Sequence, residues 1–161
     1  MKLIIVFITL LTSLVSYSQM QQQAELNPIT WKATYIDKPN QEGELIITAT
    51  IEAKWHIYSQ RPSDAGAIPT SFTITPNSNY QTIGKVEEIN AHEIFDKAFD
   101  AKVFTFEKEA VFTQKIKRKS SKSFNIKITL EFMTCNDMQC LPPKLVDLMV
   151  TIPSVALKSK L

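Results

Sequence analysis

Short runs in which apolar and polar residues alternate dominate the chain, and they predict an all-β protein. The clearest run covers residues 124–132, where apolar side chains occupy the even positions and polar side chains the odd positions. Similar runs cover residues 29–35, 45–53 and 146–152. This alternation is what a strand with one buried face requires. Weaker strands are predicted at 55–59, 70–75, 80–88, 103–106 and 110–117.

Turn-forming residues separate these runs, and they favour a sandwich of short strands. No part of residues 19–161 carries an apolar stripe with helical spacing over three turns. Many short strands with frequent turns predict an immunoglobulin-like β-sandwich or a related barrel. The longest irregular segment is predicted at Asn90–Lys102, and it contains Phe95 and Phe99. Long loops in compact domains tend to be functional.

The N-terminus predicts export. Lys2 is followed by an apolar run from Leu3 to Val15 and then by the small residues Ser16 and Ser18, which is the pattern of a secretory signal peptide. We expect cleavage after Ser18, so that residues 1–18 are removed and 19–161 form a single mature domain. The apolar run from Leu3 to Val15 is shorter than the stretch of about 20 apolar residues that a membrane-spanning helix needs. We therefore expect a cleaved signal peptide and no membrane anchor.

Charge and composition narrow the class of partner. Removing Lys2 from the 18 basic residues leaves 17 against 16 acidic residues, a net charge of +1. Such a balance argues against a nucleic-acid surface, which would show a clustered basic excess. The densest basic stretch predicts a solvated hairpin end, the usual role of charge runs, although it would also fit an acidic partner. Its members are Lys115, Lys117, Arg118, Lys119 and Lys122.

The only two cysteines, Cys135 and Cys140, lie between the two clearest strands and therefore predict a cysteine-bearing β-hairpin at one end of the sandwich. Outside the cytoplasm such a pair is normally bonded unless something reduces it. Closing so short a loop stabilises a fold by only about 2 kcal/mol, and a loop is easily reached by a partner. These points favour thiol–disulfide exchange over a purely structural bond.

The sequence around the pair predicts a slow nucleophile. No helix N-terminus or nearby cation lowers the pKa of either thiol, and Asp137 inside the loop would raise it. We therefore expect the pair to react well only when a partner docks. Pro142 and Pro143 have no N–H to donate, so they predict that the strand ladder does not form just beyond Cys140. The equally good alternative is that the two prolines only mark a turn.

Four segments resemble the N-terminal domain of DsbD, the thiol:disulfide interchange protein of Gram-negative envelopes. They are WHIY at 55–58, FDAK at 99–102, VFTQKI at 111–116 and C-x4-C-LPP at 135–143, in the family's order. The cysteine segment is the most specific of them. The resemblance implies an immunoglobulin-like sandwich with both cysteines at one end.

The resemblance also implies a function and partners. Domains of this family take electrons from a membrane-embedded part and pass them to periplasmic thioredoxin-fold proteins, including a disulfide isomerase and a cytochrome c maturation factor. We therefore expect a periplasmic thiol:disulfide oxidoreductase that uses Cys135 and Cys140 and no cofactor. Residues 19–161 contain neither a transmembrane run nor a Cys-x-x-Cys. The electron donor is accordingly expected to be a separate membrane protein.

In the same family a loop with a phenylalanine covers the cysteines until a partner displaces it. Phe99 best matches that phenylalanine and Phe95 is second, while Tyr58 matches an aromatic residue near the active site. The chain departs from the family in two ways. Its cysteines are one residue closer together, and Lys97 and Ala98 stand where the family has an acidic pair before the phenylalanine.

Two other interpretations stay open. Met133, Cys135, Met138 and Cys140 offer soft sulfur ligands that would suit Cu(I) in a periplasmic copper carrier. A zinc site built on the two histidines is disfavoured by their distance along the chain from the cysteines and from each other. The remaining alternative is a non-enzymatic immunoglobulin-like binding module with a structural disulfide.

Overall fold

The computed structural model describes residues 26–155. The predicted signal peptide and its cleavage site lie outside the described residues. Residues 26–155 form strands and turns and include no helix of the length and apolar character that a membrane crossing needs. The ten strands are β1 Ile29–Asp37, β2 Glu42–Ile51, β3 His56–Tyr58, β4 Ser71–Ile74, β5 Tyr80–Ile89, β6 His92–Asp96, β7 Ala101–Glu107, β8 Glu109–Arg118, β9 Phe124–Cys135 and β10 Cys140–Ile152.

The strands form two antiparallel sheets, which confirms the predicted all-β sandwich. One sheet has the order β1-β2-β8-β5. The other has the order β10-β9-β3-β7-β6, and β4 also pairs with β9. In both sheets one face is apolar and packs inward, as the alternation along the sequence predicted.

The main core lies between the two sheets. In β9 the even positions from Ile126 to Phe132 are buried, and the odd positions face the other way. Ile57 of β3 and Phe106 of β7 are register partners and both belong to this core, as does Trp55. The opposing sheet contributes Leu45, Ile47, Ala49, Phe112 and Ile116.

A smaller apolar cluster covers the outer face of the six-stranded sheet. Because side chains alternate along a strand, the neighbours of the core residues, among them Tyr58 and Cys135, point outward. Tyr58, Ala67, Val103 and Cys135 are buried in this outer cluster, and Ile94, Phe99, Met133 and Cys140 pack against it. The β6–β7 hairpin and the loop between β3 and β4 supply Phe99 and Ala67, so these two segments cover the outward-facing cysteine.

The prediction that Asn90–Lys102 is irregular was wrong for part of that segment. His92–Asp96 forms β6, which pairs with β7 from His92↔Thr105 to Asp96↔Ala101. The segment has little alternation because β6 is an edge strand with three exposed residues, so burial leaves almost no mark on its sequence. Within Asn90–Lys102, strand structure is missing only at Asn90, Ala91 and the turn at 97–100.

The two prolines interrupt the ladder later than predicted. Leu141 still pairs with Thr134, and pairing resumes at Lys144↔Phe132, so β10 has one residue more than β9 between these pairs. This is a β-bulge, the place where a ladder tolerates residues without an N–H. The ladder therefore forms beyond Cys140, with a bulge at Pro142 and Pro143.

The basic stretch is not uniformly solvated. Its four lysines are exposed, but Arg118 is only 3% exposed. The Arg118 guanidinium donates hydrogen bonds to the carbonyl oxygens of Ser120, Lys122 and Pro153. Arg118 thus ties the β8–β9 turn to the chain that follows β10.

We expect Arg118→Met to lower the free energy of unfolding by about 2–3 kcal/mol, because three carbonyls lose a charged donor. Urea unfolding followed by tryptophan fluorescence measures the change. Lys119→Met, at an exposed neighbour, is the matched control and should change stability by no more than about 0.5 kcal/mol. Equal effects of the two substitutions would contradict a structural role for Arg118.

Candidate functional site

The two cysteines close a tight hairpin turn, as predicted. Cys135 is the last residue of β9, Cys140 is the first of β10, and the two are register partners joined by a disulfide. Asn136 organises the four residues between them. Its N–H donates to the Gln139 carbonyl at 2.9 Å, and its Oδ1 accepts the N–H groups of Met138 and Gln139, both at 2.9 Å. Asn136 was not predicted as a site residue, although asparagine at the start of a turn is a known signal for turn formation.

The two cysteines differ in accessibility. Cys135 is fully buried in the outer cluster, whereas Cys140 is partly exposed at its edge. Attack on a disulfide requires access of the incoming thiolate to one sulfur. An incoming sulfur therefore has easier access to Cys140 than to Cys135.

Phe99 lies at the tip of the β6–β7 hairpin and packs onto the cluster that contains both cysteines. Its ring meets the Tyr58 ring edge-on, with centroids 5.8 Å apart and planes at 83°. On the other side it lies against Gly66, whose positive φ of 94° few other residues adopt. We call the segment from Asp96 to Ala101 the cap turn.

An open cleft of about 490 Å³ lies beside the cysteine turn. Its rim includes Phe95 and Met138, which are 60% and 88% exposed. Asp137 of the cysteine turn also lines the cleft, together with His56 and Asp96. Phe95 thus lines the cleft and is not part of the cysteine cluster, whereas Phe99 packs on that cluster.

A hydrogen-bonded network joins β3 to the cap turn. The Tyr58 hydroxyl donates to Asp96 Oδ2 at 2.6 Å, and His56 Nε2 lies 3.2 Å from the Tyr58 hydroxyl and 3.4 Å from Asp96 Oδ2. The other oxygen, Asp96 Oδ1, accepts the Ala98 N–H at 2.8 Å. Asp96 is only 5% exposed. A single buried carboxylate therefore fixes both the aromatic strand and the turn that carries Phe99.

Burial sets the protonation of this network. It raises the pKa of Tyr58, and the neighbouring Asp96 carboxylate raises that pKa further, so Tyr58 remains a hydrogen-bond donor. Burial lowers the pKa of His56, an effect that the carboxylates of Asp96, Glu107 and Asp137 partly oppose. Near neutral pH the His56 ring is therefore uncharged.

The structure brings Cys135, Cys140, Tyr58 and Phe99 into one cluster. Of the other predicted site residues, Asp137 and Phe95 line the neighbouring cleft, and Pro142 and Pro143 form the bulge of β10. Asp96 was not predicted as a site residue, and His56 was noted only as part of the WHIY segment and as a disfavoured zinc ligand. Within residues 26–155 no three His, Cys, Asp or Glu side chains are grouped so that they could hold a metal ion.

Comparisons with known proteins bear on the fold and on the family. The family model for the N-terminal part of the thiol:disulfide interchange protein DsbD matches residues 23–150. No curated protein matched the chain. The fold is similar to the reduced N-terminal domain of Neisseria meningitidis DsbD, with 14% identity over 68% of this chain and 78% of that chain and a TM-score of 0.50.

A second similar structure is the complex between the DsbD and PilB N-terminal domains from the same organism. Here the identity is 14%, the alignment covers 78% of this chain and 87% of that chain, and the TM-score is 0.51. At such identities the structural likeness shows the fold alone. The match to the family model, which spans most of the chain, shows the family.

Proposed function

Because the chain belongs to the family of DsbD N-terminal domains, we propose that it carries out thiol–disulfide exchange in the periplasm. In this proposal Cys135 and Cys140 relay reducing equivalents between a membrane reductase and thioredoxin-fold partners. The observation that carries it is a disulfide in a tight turn, with one buried and one partly exposed cysteine, in the apolar cluster on which Phe99 packs.

The exchange proceeds in two balanced steps. A thiolate of the donor attacks the Cys140 sulfur, the Cys135–Cys140 bond breaks, and Cys135 leaves as a thiolate. The donor's second thiolate then attacks the donor sulfur that is bonded to Cys140, and Cys140 leaves as a thiolate. The pair has gained two electrons and two protons, and the donor has become a disulfide. The same steps in reverse reduce the next partner.

The disulfide has little structural work to do, which supports a chemical role. β9 and β10 pair along most of their length, and Asn136 already holds the turn. The loop-entropy contribution of so short a ring is only about 2 kcal/mol. A bond placed mainly for stability would join segments that are more distant in the sequence.

The cap turn fits a shielding role. Phe99 packs on the cysteine cluster without any covalent tie, and Asp96 anchors the turn through Tyr58 and Ala98. In this proposal a docking partner displaces Phe99 and gains full access to Cys140, which is only partly exposed while Phe99 is in place. Selectivity then comes from docking and not from a highly reactive thiol.

The partners follow from the chemistry. Reduction of the Cys135–Cys140 disulfide needs a donor of two electrons, and we propose that a membrane reductase is this donor. A relative's N-terminal domain has been seen in complex with the PilB N-terminal domain. We propose that thioredoxin-fold proteins dock on this chain at the cysteine turn.

The reduction potential of the Cys135–Cys140 pair tests the proposal. The protein is equilibrated in thiol buffers of graded potential, and its free thiols are trapped and counted by mass. We expect a potential between about −180 and −270 mV, the range of exchange proteins. A potential below about −300 mV marks a structural bond and would favour the binding-module alternative.

A further inference from the structure

His56 faces the buried cysteine across the ladder. It is the direct register partner of Cys135 in the antiparallel pairing of β3 with β9. Directly opposite residues point to the same face, with Cβ atoms about 4.5–5.5 Å apart. The Thr134 hydroxyl donates to the His56 carbonyl at 2.8 Å and so helps to fix the two strands at this point.

The hydrogen bonds around His56 define which ring nitrogen is basic. The single Tyr58 hydroxyl proton is donated to Asp96, so the Tyr58 oxygen can only accept from His56 Nε2. Nε2 therefore carries the ring proton, and Nδ1 carries the lone pair. Asp96 Oδ2 lies 3.4 Å from His56 Nε2, and Cys135 occupies the register position opposite His56. The three residues thus follow the order of a carboxylate, a base that it orients and a nucleophile.

We propose that His56 accepts the proton of the Cys135 thiol when Cys135 resolves a mixed disulfide on Cys140. This inference rests on the proposed exchange function. The thiol proton passes to Nδ1, and the Cys135 thiolate attacks the Cys140 sulfur. The Cys135–Cys140 bond forms as the bond from Cys140 to the partner breaks. The partner leaves as a thiolate, and the imidazolium returns its proton to that thiolate or to water.

The charges facing His56 suit this transfer. From its own strand it meets Tyr58, from β7 Glu107, from the cap turn Asp96 and from the cysteine turn Asp137. Burial keeps the ring uncharged before the transfer, and the three carboxylates stabilise the imidazolium once it has formed. His56 is therefore a neutral base before the transfer, and nearby carboxylates stabilise the imidazolium cation that forms.

The size of the effect is bounded by thiol chemistry. An ordinary thiol with a pKa of about 8.5 is only about 3% ionised near pH 7, so complete ionisation accelerates attack by at most about 30-fold. We expect proton transfer to His56 to accelerate the attack by Cys135 about tenfold. The gain must vanish at high pH, where the Cys135 thiol ionises without help.

The reduced protein is mixed with dithiobis(nitrobenzoate), an aromatic disulfide whose thiol product is coloured. Cys140 attack releases the first coloured thiol at a rate proportional to reagent concentration. Cys135 attack on the mixed disulfide releases the second at a rate independent of it. Both rates are recorded from acidic to alkaline pH for the unmodified protein, His56→Gln and the control His92→Gln, an exposed histidine on β6.

We expect His56→Gln to slow the second phase about tenfold near pH 7. Above about pH 9.5 the variant and the unmodified protein should have the same second-phase rate. His92→Gln leaves both phases unchanged, and no variant changes the first phase. In the unmodified protein the second phase also falls off at a pH below about 6.5, as His56 becomes protonated. This inflection can be read without any variant.

The outcomes separate the two ideas. If His56→Gln and the unmodified protein share one pH profile, or if the acidic inflection is missing, His56 is not the proton acceptor, although exchange still stands. If the unmodified protein releases no second coloured thiol, Cys135 does not resolve the mixed disulfide, and the exchange function itself fails.

Discussion

Replacing Cys135 with serine should trap a mixed disulfide between Cys140 and a thioredoxin-fold partner, whereas Cys140→Ser should trap almost none. Cys140 is partly exposed and can exchange, but without Cys135 nothing releases the partner. In Cys140→Ser the remaining thiol is fully buried and reacts only when the outer cluster opens. Each 1.4 kcal/mol of opening cost lowers the reactive fraction tenfold, so we expect at least about a tenfold difference.

The measurement uses a thioredoxin whose second active-site cysteine is serine and whose first carries a nitrobenzoate thiol as a mixed disulfide. Attack by Cys140 on the thioredoxin sulfur releases the coloured nitrobenzoate thiol and leaves the trapped complex, which is counted by mass and on non-reducing gels. Each variant serves as the other's control, because both lose the same disulfide and about the same 2 kcal/mol of stability. Equal trapping by the two variants would contradict the assignment of Cys140 as the accessible sulfur. No trapping by either variant, with a large loss of stability in both, would favour the structural-bond alternative.

Much of the fold could be predicted because burial leaves a period of two in the sequence. β9 has an apolar residue at every even position from Phe124 to Phe132, and those side chains form the centre of the core. β6 could not be predicted in the same way. It is an edge strand with only Asp96 buried, and its existence depends on hydrogen bonds to β7.

The candidate site, like the fold, could be predicted only in part. The cysteine hairpin depends on residues close together in the sequence, so it could be predicted. The network behind it joins Tyr58 to Asp96 across 38 positions. It also depends on the register that places His56 opposite Cys135. A shift of one residue in that register would turn His56 to the core face, and no local pattern in the sequence specifies it.

Shortening Phe99 to alanine should raise the rate at which dithiothreitol reduces the Cys135–Cys140 disulfide by about tenfold. The substitution removes the edge-on contact with Tyr58, which is worth about 0.5–1.5 kcal/mol, as well as apolar area over the cysteine cluster. A loss of about 1.4 kcal/mol from the closed state raises the open fraction tenfold. Stopped-flow mixing with trapping of the released thiols measures the rate.

Phe95→Ala is the matched control, because it removes a phenyl ring from the same hairpin at a position that is 60% exposed and not in the cysteine cluster. It should leave the rate of reduction unchanged. If Phe99→Ala also leaves the rate unchanged, the cap turn does not limit access, and protection must come from the burial of Cys135 itself. If both substitutions accelerate reduction equally, the hairpin opens as a unit, and Asp96, which ties it to Tyr58, is then the residue that controls exposure of the disulfide.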